Sequence, residues 1–179
     1  MTLRSFYSIS RLLTVILALI LSLTTHLSAQ EKPVTTADEF LELFAVDDQD
    51  LDRLIEVGEP PKEAITINFA TDSAVIDGQR NREQLSQLAE ALTSPKIKKN
   101  RAFSIEGHTD ARGSSRHNFK LSQRRSEAVV DYLVKNFGVP RNQLAANGRG
   151  ESELLDKADT AEAHAKNRRV EIILDGVID

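Results

Sequence analysis

The chain has 179 residues, with 23 Lys and Arg against 27 Asp and Glu, a formal net charge of −4 and no cysteine. That length suits one modest domain with appended segments, and an acidic chain without a large basic block is a poor nucleic-acid binder. The lack of cysteine excludes disulfides, a thiolate-held metal and a lipid anchor on an N-terminal cysteine.

Residues 1–29 read as an export signal. Arg4 and Arg11 give a basic start, Leu12 to Leu23 is almost entirely apolar, and Leu27-Ser28-Ala29 offers a small-residue cleavage site with the cut after Ala29. The competing reading is an uncleaved membrane anchor, for which the apolar run is of borderline length. Cleavage would remove two arginines and no acid, taking the net charge from −4 to −6.

Residues 30–62 form a separate piece. Thr36 followed three positions on by Glu39 is a helix-capping pattern. Phe40, Leu41, Leu43 and Phe44 predict a short amphipathic helix, which the acid-rich Asp47-Asp48-Gln49-Asp50 interrupts. Leu51, Leu54 and Ile55 make a second apolar patch, and Pro60-Pro61 closes the segment. The expected role is a strap on the domain or a tether. The alternative is a docking segment for an envelope protein partner across residues 36–57.

The main domain is expected over residues 63–179. The alternation Ala64-Ile65-Thr66-Ile67-Asn68-Phe69 predicts a first strand, and Asn81 to Thr93 a first helix with Leu85, Leu88, Ala89 and Leu92 on one face. Lys96, Lys98, Lys99 and Arg101 read as a solvated basic connector. Ala102 to Glu106 predicts a second strand; Gly107 and Gly113 then mark a loop. A second helix runs from near Asn118 to Phe137, with Gly138 in the terminating position. Leu144 to Asn147 predicts a third strand, Asp159 to Lys166 a loop with a helical turn, and Arg169 to Leu174 a fourth strand. Strands alternating with helices suggest parallel β-α-β pairing.

The second helix holds the unusual residue. Lys120, Arg124, Glu127, Asp131 and Lys135 form a polar stripe, and Leu121, Ala128 and Tyr132 an apolar one. Arg124 belongs to the wet face. Arg125 falls inside the apolar stripe, where a guanidinium needs a partner. Helix geometry leaves two partners open: an internal salt bridge, to Asp110 or Glu106, or the carboxylate of a ligand.

Four motifs, in order, carry a resemblance: G-H-T-D-A-R-G at 107–113, N-F-K-L-S-Q-R-R-S at 118–126, G-R-G-E at 148–151 and N-R-R-V-E at 167–171. Over residues 65–174 the chain resembles the OmpA-like peptidoglycan-binding domain, the family of the OmpA C-terminal domain and the peptidoglycan-associated lipoprotein. The resemblance implies an α+β fold, a compact two-layer sandwich of a mixed four-stranded sheet with helices on one side, in the order β-α-β-α-β-β. It implies binding of peptidoglycan through the meso-diaminopimelate of its stem peptide. The free end of that residue carries an ammonium and a carboxylate on one carbon. Asp110 matches the acid that takes the ammonium. Arg125 matches the arginine that takes the carboxylate, for which its planar donors are suited. Asp72 matches a rim acid, His108 a ligand-contacting position, Leu121 an apolar wall, and Asn167 and Arg168 the motif beside the site. Thr71 stands where the family often has phenylalanine, which removes an apolar wall.

The expected function is therefore non-enzymatic and without cofactor: an exported protein of the periplasm, associated or not with the outer membrane, that anchors an envelope component to the cell wall. A wall-anchoring scaffold subunit of a secretion or motility assembly is the alternative. A metal-dependent hydrolase using His108, Asp110 and His117 is a third reading, disfavoured because no fourth ligand is evident. No nucleophile elbow or phosphate loop occurs.

Overall fold

The computed structural model describes residues 35–70 and 72–178. The expected signal, its cleavage site and Thr71 lie outside the described residues. Two helices come first, α1 (Ala37–Phe44) and α2 (Asp48–Glu56), followed by β1 (Lys62–Ile65), α3 (Gln79–Thr93), β2 (Arg101–His108) and α4 (Ser115–Phe137). A 3-10 turn at Arg141–Gln143 leads into β3 (Leu144–Gly150), α5 (Ala161–Asn167) and β4 (Val170–Val177). The class is α+β with one mixed four-stranded sheet, as the resemblance implies. A seven-residue helix, capped by the Thr160 hydroxyl, separates β3 from β4 where the sequence suggests only a helical turn.

The sheet order is β1-β4-β2-β3. Only β2 and β3 pair in parallel; β4 lies antiparallel to both β1 and β2. The expected parallel β1-α3-β2 unit is thus split, with the last strand inserted between its two strands. β1 is also shorter than the alternation predicts. Beyond Ile65 the chain leaves the ladder, and the Asn81 side chain of α3 takes over: it accepts from Asn68 N at 2.9 Å and donates to Asn68 O at 2.9 Å. Ile67 stays buried without strand pairing, which is why the alternation persists past the strand.

One core fills the space between the sheet and the helices. Phe103, Ile105, Ile172 and Leu174 face Leu85, Leu88, Val129 and Leu133, all fully or nearly fully buried. Helix α4 lies close against β2 and β3. A Cβ on Gly107 would stand 2.4 Å from the Ser122 carbonyl oxygen, and one on Gly148 would stand 2.6 Å from Gln123 N. Gly107 is therefore a strand residue required by helix contact, not the loop marker expected from its type.

The segment before β1 joins the same core. Thr36 and Glu39 form the expected capping box. Phe40 and Phe44 are fully buried; Phe44 meets Phe103 edge-on at 5.4 Å between centroids. Asp47 is the cap of α2, so the acidic run starts a second helix as well as ending the first. Asp48 then pairs with Lys98 at 2.6 Å and with Arg101 at 2.9 Å. Arg101 is buried and also donates to Val46 O at 2.8 Å. The basic connector is thus not simply solvated; two of its cations clasp the turn between α1 and α2.

If α1 is integral to the core, Phe44→Ala should lower the stability of the whole domain by about 3–5 kcal/mol, the usual cost of an aromatic-sized cavity. Urea unfolding followed by circular dichroism and by the fluorescence of Tyr132 checks this. An unchanged midpoint would mean that α1 is a detachable strap.

Candidate functional site

The loop between β2 and α4 carries the site. His108 N donates to Arg169 O at 2.9 Å and Thr109 N to Gly150 O at 2.9 Å, extending the sheet bonding to the start of the loop. Asn118, in the first turns of α4 and buried, donates its amide to the carbonyls of Asp110 at 3.3 Å and Arg112 at 3.1 Å. Ser114 caps the helix through His117 N. The loop backbone at Asp110 and Arg112 is thereby tied to the first turns of α4.

Five of the expected residues come together. Asp72, Asp110, Leu121, Arg125 and Arg168 line one open cleft of about 540 Å³. Phe69, Arg112 and His117 line it too, and sequence reading did not single them out for this cleft. His108 and Asn167 do not line it. His108 belongs to an adjoining cavity next to Ile67, Arg125 and Arg169. The Asn167 amide accepts from Leu155 N at 2.8 Å and donates to Asp156 O at 2.7 Å, holding the chain before α5.

Arg125 is 7% exposed and has no carboxylate within ion-pair distance among the described residues. The internal bridge to Asp110 or Glu106 left open by helix geometry is not formed. Instead Arg125 Nε donates to Ser73 O at 3.0 Å and Nη2 reaches Ala70 O at 3.4 Å. Its guanidinium carbon sits 4.9 Å from the centroid of the Phe69 ring, within cation–π range. Burial, and then the Arg168 charge, push its pKa down. It is a desolvated cation held in orientation by carbonyls and a ring, without an anion to match it. The helix phase is also clearer in the structure. Ser122, Ser126, Val129 and Leu133 are the buried centre of α4, with Ala128 and Tyr132 at its flank. Arg125 borders this seam. Arg124 is on the exposed side as expected, 3.4 Å from Asp72.

Asp110 is held differently. Arg112 binds it in a fork, Nε to Oδ1 at 3.0 Å and Nη2 to Oδ2 at 2.7 Å, and Arg168 Nη1 adds a bond to Oδ2 at 2.9 Å. These guanidinium groups, Arg112 foremost, keep the Asp110 carboxyl far below the usual carboxylate range despite its burial. The Arg112 side chain is 65% exposed, so its fork can open toward water. Asp72 sits at the rim with a left-handed backbone, φ +53, which aspartate tolerates better than most residues. Its carboxylate lies 3.4 Å from both His117 Nε2 and Arg124 Nη2.

One open cleft of this α+β domain thus brings together an acid fixed by two guanidinium groups and an arginine that has no carboxylate partner among the described residues. The OmpA family model matches residues 68–168, and the chain belongs to the OmpA family. It is 49% identical over 67 residues to outer membrane porin F of Pseudomonas aeruginosa, covering 37% of this chain and 19% of that protein. It is 34% identical over 125 residues to outer membrane protein A of Shimwellia blattae, covering 65% of this chain and 50% of that one. The chain thus spans at most half the length of these curated relatives. Among solved structures it is similar to the peptidoglycan-associated lipoprotein of Burkholderia pseudomallei, with 31% identity, TM-score 0.52 and coverage of 62% of this chain and 87% of that one. It is also similar to the cell wall anchor of the T6SS from Pseudomonas aeruginosa, with 30% identity, TM-score 0.53 and coverage of 70% and 94%.

Because the Asp110 pKa is lower in the folded chain than in the unfolded one, its contribution to stability is complete above the ordinary carboxylate range near pH 4 and is lost as pH falls toward the folded value. Asp110→Asn should therefore destabilise the domain more at about pH 7 than at about pH 2. Unfolding midpoints at the two pH values check this, and an equal gap at both would contradict it.

Proposed function

We propose that this protein binds peptidoglycan non-covalently through the meso-diaminopimelate of its stem peptide, and so anchors an envelope component to the cell wall without cleaving it. The domain over residues 63–179 carries the binding, and the mature chain works in the periplasm after export. The observation that carries the reading is the Arg125 guanidinium on the cleft wall, buried and without a carboxylate partner among the described residues. Its Nε edge is engaged by backbone carbonyls, while Nη1 makes no hydrogen bond among the described residues. The Nη end remains for a ligand carboxylate, which would offset the cost of a buried unmatched cation. Asp110, on the same cleft, takes the ligand ammonium, which competes with the exposed Arg112 fork. Asp72 at the rim and Leu121 on the wall complete the contact, and Phe69 supplies an apolar wall in the cleft. Arg168 adds to Arg112 in keeping Asp110 ionised. His108 and Asn167 support the site from beside it.

Similarity to a protein described as the cell wall anchor of the T6SS favours, as a second reading, a scaffold subunit that uses this domain to fix a larger assembly to the wall.

Co-sedimentation with purified sacculi tests the function. The protein should pellet with the sacculi and release no muropeptides; a protein left wholly in the supernatant at low salt would contradict the proposal. Stem peptides with lysine in place of diaminopimelate keep an amine but lose the carboxylate, so they should bind more weakly. Equal affinities would show that Arg125 does not read that group.

The two neighbouring arginines should differ sharply. Arg124→Ala removes an exposed charge and should change stem-peptide binding by about 0–1 kcal/mol. Arg125→Ala should cost about 2–5 kcal/mol, roughly thirtyfold or more in affinity. Arg125→Lys should recover only part, because an ammonium cannot grip both oxygens. Adding Asp110→Asn to Arg125→Ala should cost less than Asp110→Asn alone, since the two residues hold one ligand group. Calorimetric titration of the four single variants and the double variant decides it. Binding lost in Arg124→Ala and kept in Arg125→Ala would overturn the assignment.

A further inference from the structure

We infer that Glu106, His108 and Glu153 form a binding site for a divalent transition-metal ion, zinc above all, held by one imidazole and two carboxylates. The site is separate from the Asp110–Arg125 cleft and does not rest on peptidoglycan binding.

Glu106 and His108 are two residues apart on β2, so they lie on one side of the strand. Glu153 follows β3, the parallel partner of β2. One ligand atom from each of the three lies within 4.8 Å of the others. A tetrahedral zinc with bonds of about 2.0–2.1 Å sets its ligands about 3.3 Å apart. Closing the remaining gap asks little of Glu153, whose side chain is about half exposed.

His108 is the independent observation. It is 1% exposed, and neither ring nitrogen has a hydrogen-bond partner among the described residues. A neutral imidazole carries one donor and one acceptor nitrogen, and buried polar atoms of that kind almost always find a partner. The charged groups facing it are Arg169 just before β4, Glu171 on β4, Glu153 after β3 and Glu106 on β2. Arg169 is engaged by Glu171 at 2.6 Å and by the Glu153 carbonyl at 3.2 Å, so it does not compete for the other two acids.

The two carboxylates already share a cation. Arg149 Nε lies 2.8 Å from Glu106 Oε2 and 3.8 Å from Glu153 Oε1. The Arg149 side chain is 44% exposed and can withdraw into water when an ion enters. One nitrogen with two oxygen donors suits zinc, with water in a fourth position, whereas calcium and magnesium favour oxygen alone.

The test is titration of the chelator-treated full chain with zinc chloride by calorimetry, repeated with cobalt chloride and visible absorption. One equivalent of zinc should bind. Glu153→Gln, at a half-exposed position that leaves the fold intact, should weaken binding about tenfold or more, and His108→Ala at least as much. Arg149→Ala should strengthen binding. Two histidine controls exclude other imidazole–carboxylate pairs: His164→Ala, which breaks the contact with Asp159, and His117→Ala, beside Asp72, should leave zinc binding unchanged. Absence of zinc binding by the wild-type chain, binding unaffected by both Glu153→Gln and His108→Ala, or loss confined to a control variant would each overturn the inference.

Discussion

The close contact of α4 with the backbones of β2 and β3 is the constraint on which the rest of the domain depends. At Gly107 and Gly148 a side chain of any size would strike helix backbone. The contact is bonded as well as packed. The Gln123 amide accepts from Gly148 N at 2.7 Å and donates to Ala146 O at 3.1 Å, while Ser122 Oγ accepts from Gly150 N at 2.9 Å. These side chains occupy backbone groups of β3 that a sheet edge would otherwise leave open. They also set the height and rotation of α4 over the sheet. That placement brings Arg125, one turn from Ser122, to the same cleft as Asp110 at the end of β2.

Electrostatics then divide the cleft into unequal halves. Three guanidinium groups, from Arg112, Arg125 and Arg168, gather around one deeply buried acid and one rim acid. Two of the three satisfy Asp110, and the third is left to the ring of Phe69 and to backbone carbonyls. Charge balance at this place is incomplete within the protein itself. A desolvated guanidinium retained on a cavity wall is costly for stability unless an anion matches it. The same asymmetry gives the exposed Arg112 a different character: it is the partner of Asp110 most readily surrendered to water.

Much of this was legible in the sequence because periodicity and motif order report local choices. The class, the strands β2 and β4, the capping box of α1 and the burial of Arg125 follow from such choices. Tertiary exchange was not legible. The amide of Asn81 ends β1 early by replacing the ladder at Asn68, thirteen residues away. The insertion of β4 between β1 and β2 depends on pairing that no local pattern encodes. Lys98 and Arg101 looked like a solvated run because their partner Asp48 lies fifty or so residues upstream. Gly107 looked like a loop residue because glycine signals both turns and close approach, and only the position of Ser122 distinguishes them. At the site, the H-T-D motif pointed to Asp110 but not to Arg112 as its main partner, although the two stand two residues apart. Phe69 was hidden for a related reason: its place in an alternating run marked it as strand, and its ring over Arg125 appears only when α4 is in place.

The most direct test of the central claim is a crystal structure of the domain with free meso-diaminopimelate. One carboxylate should lie within hydrogen-bond distance of the Arg125 Nη atoms and the neighbouring ammonium on Asp110, with the Arg112 fork displaced from at least one Asp110 oxygen. A ligand bound elsewhere, or bound in the cleft with Arg125 untouched and the Arg112 fork intact, would contradict the account.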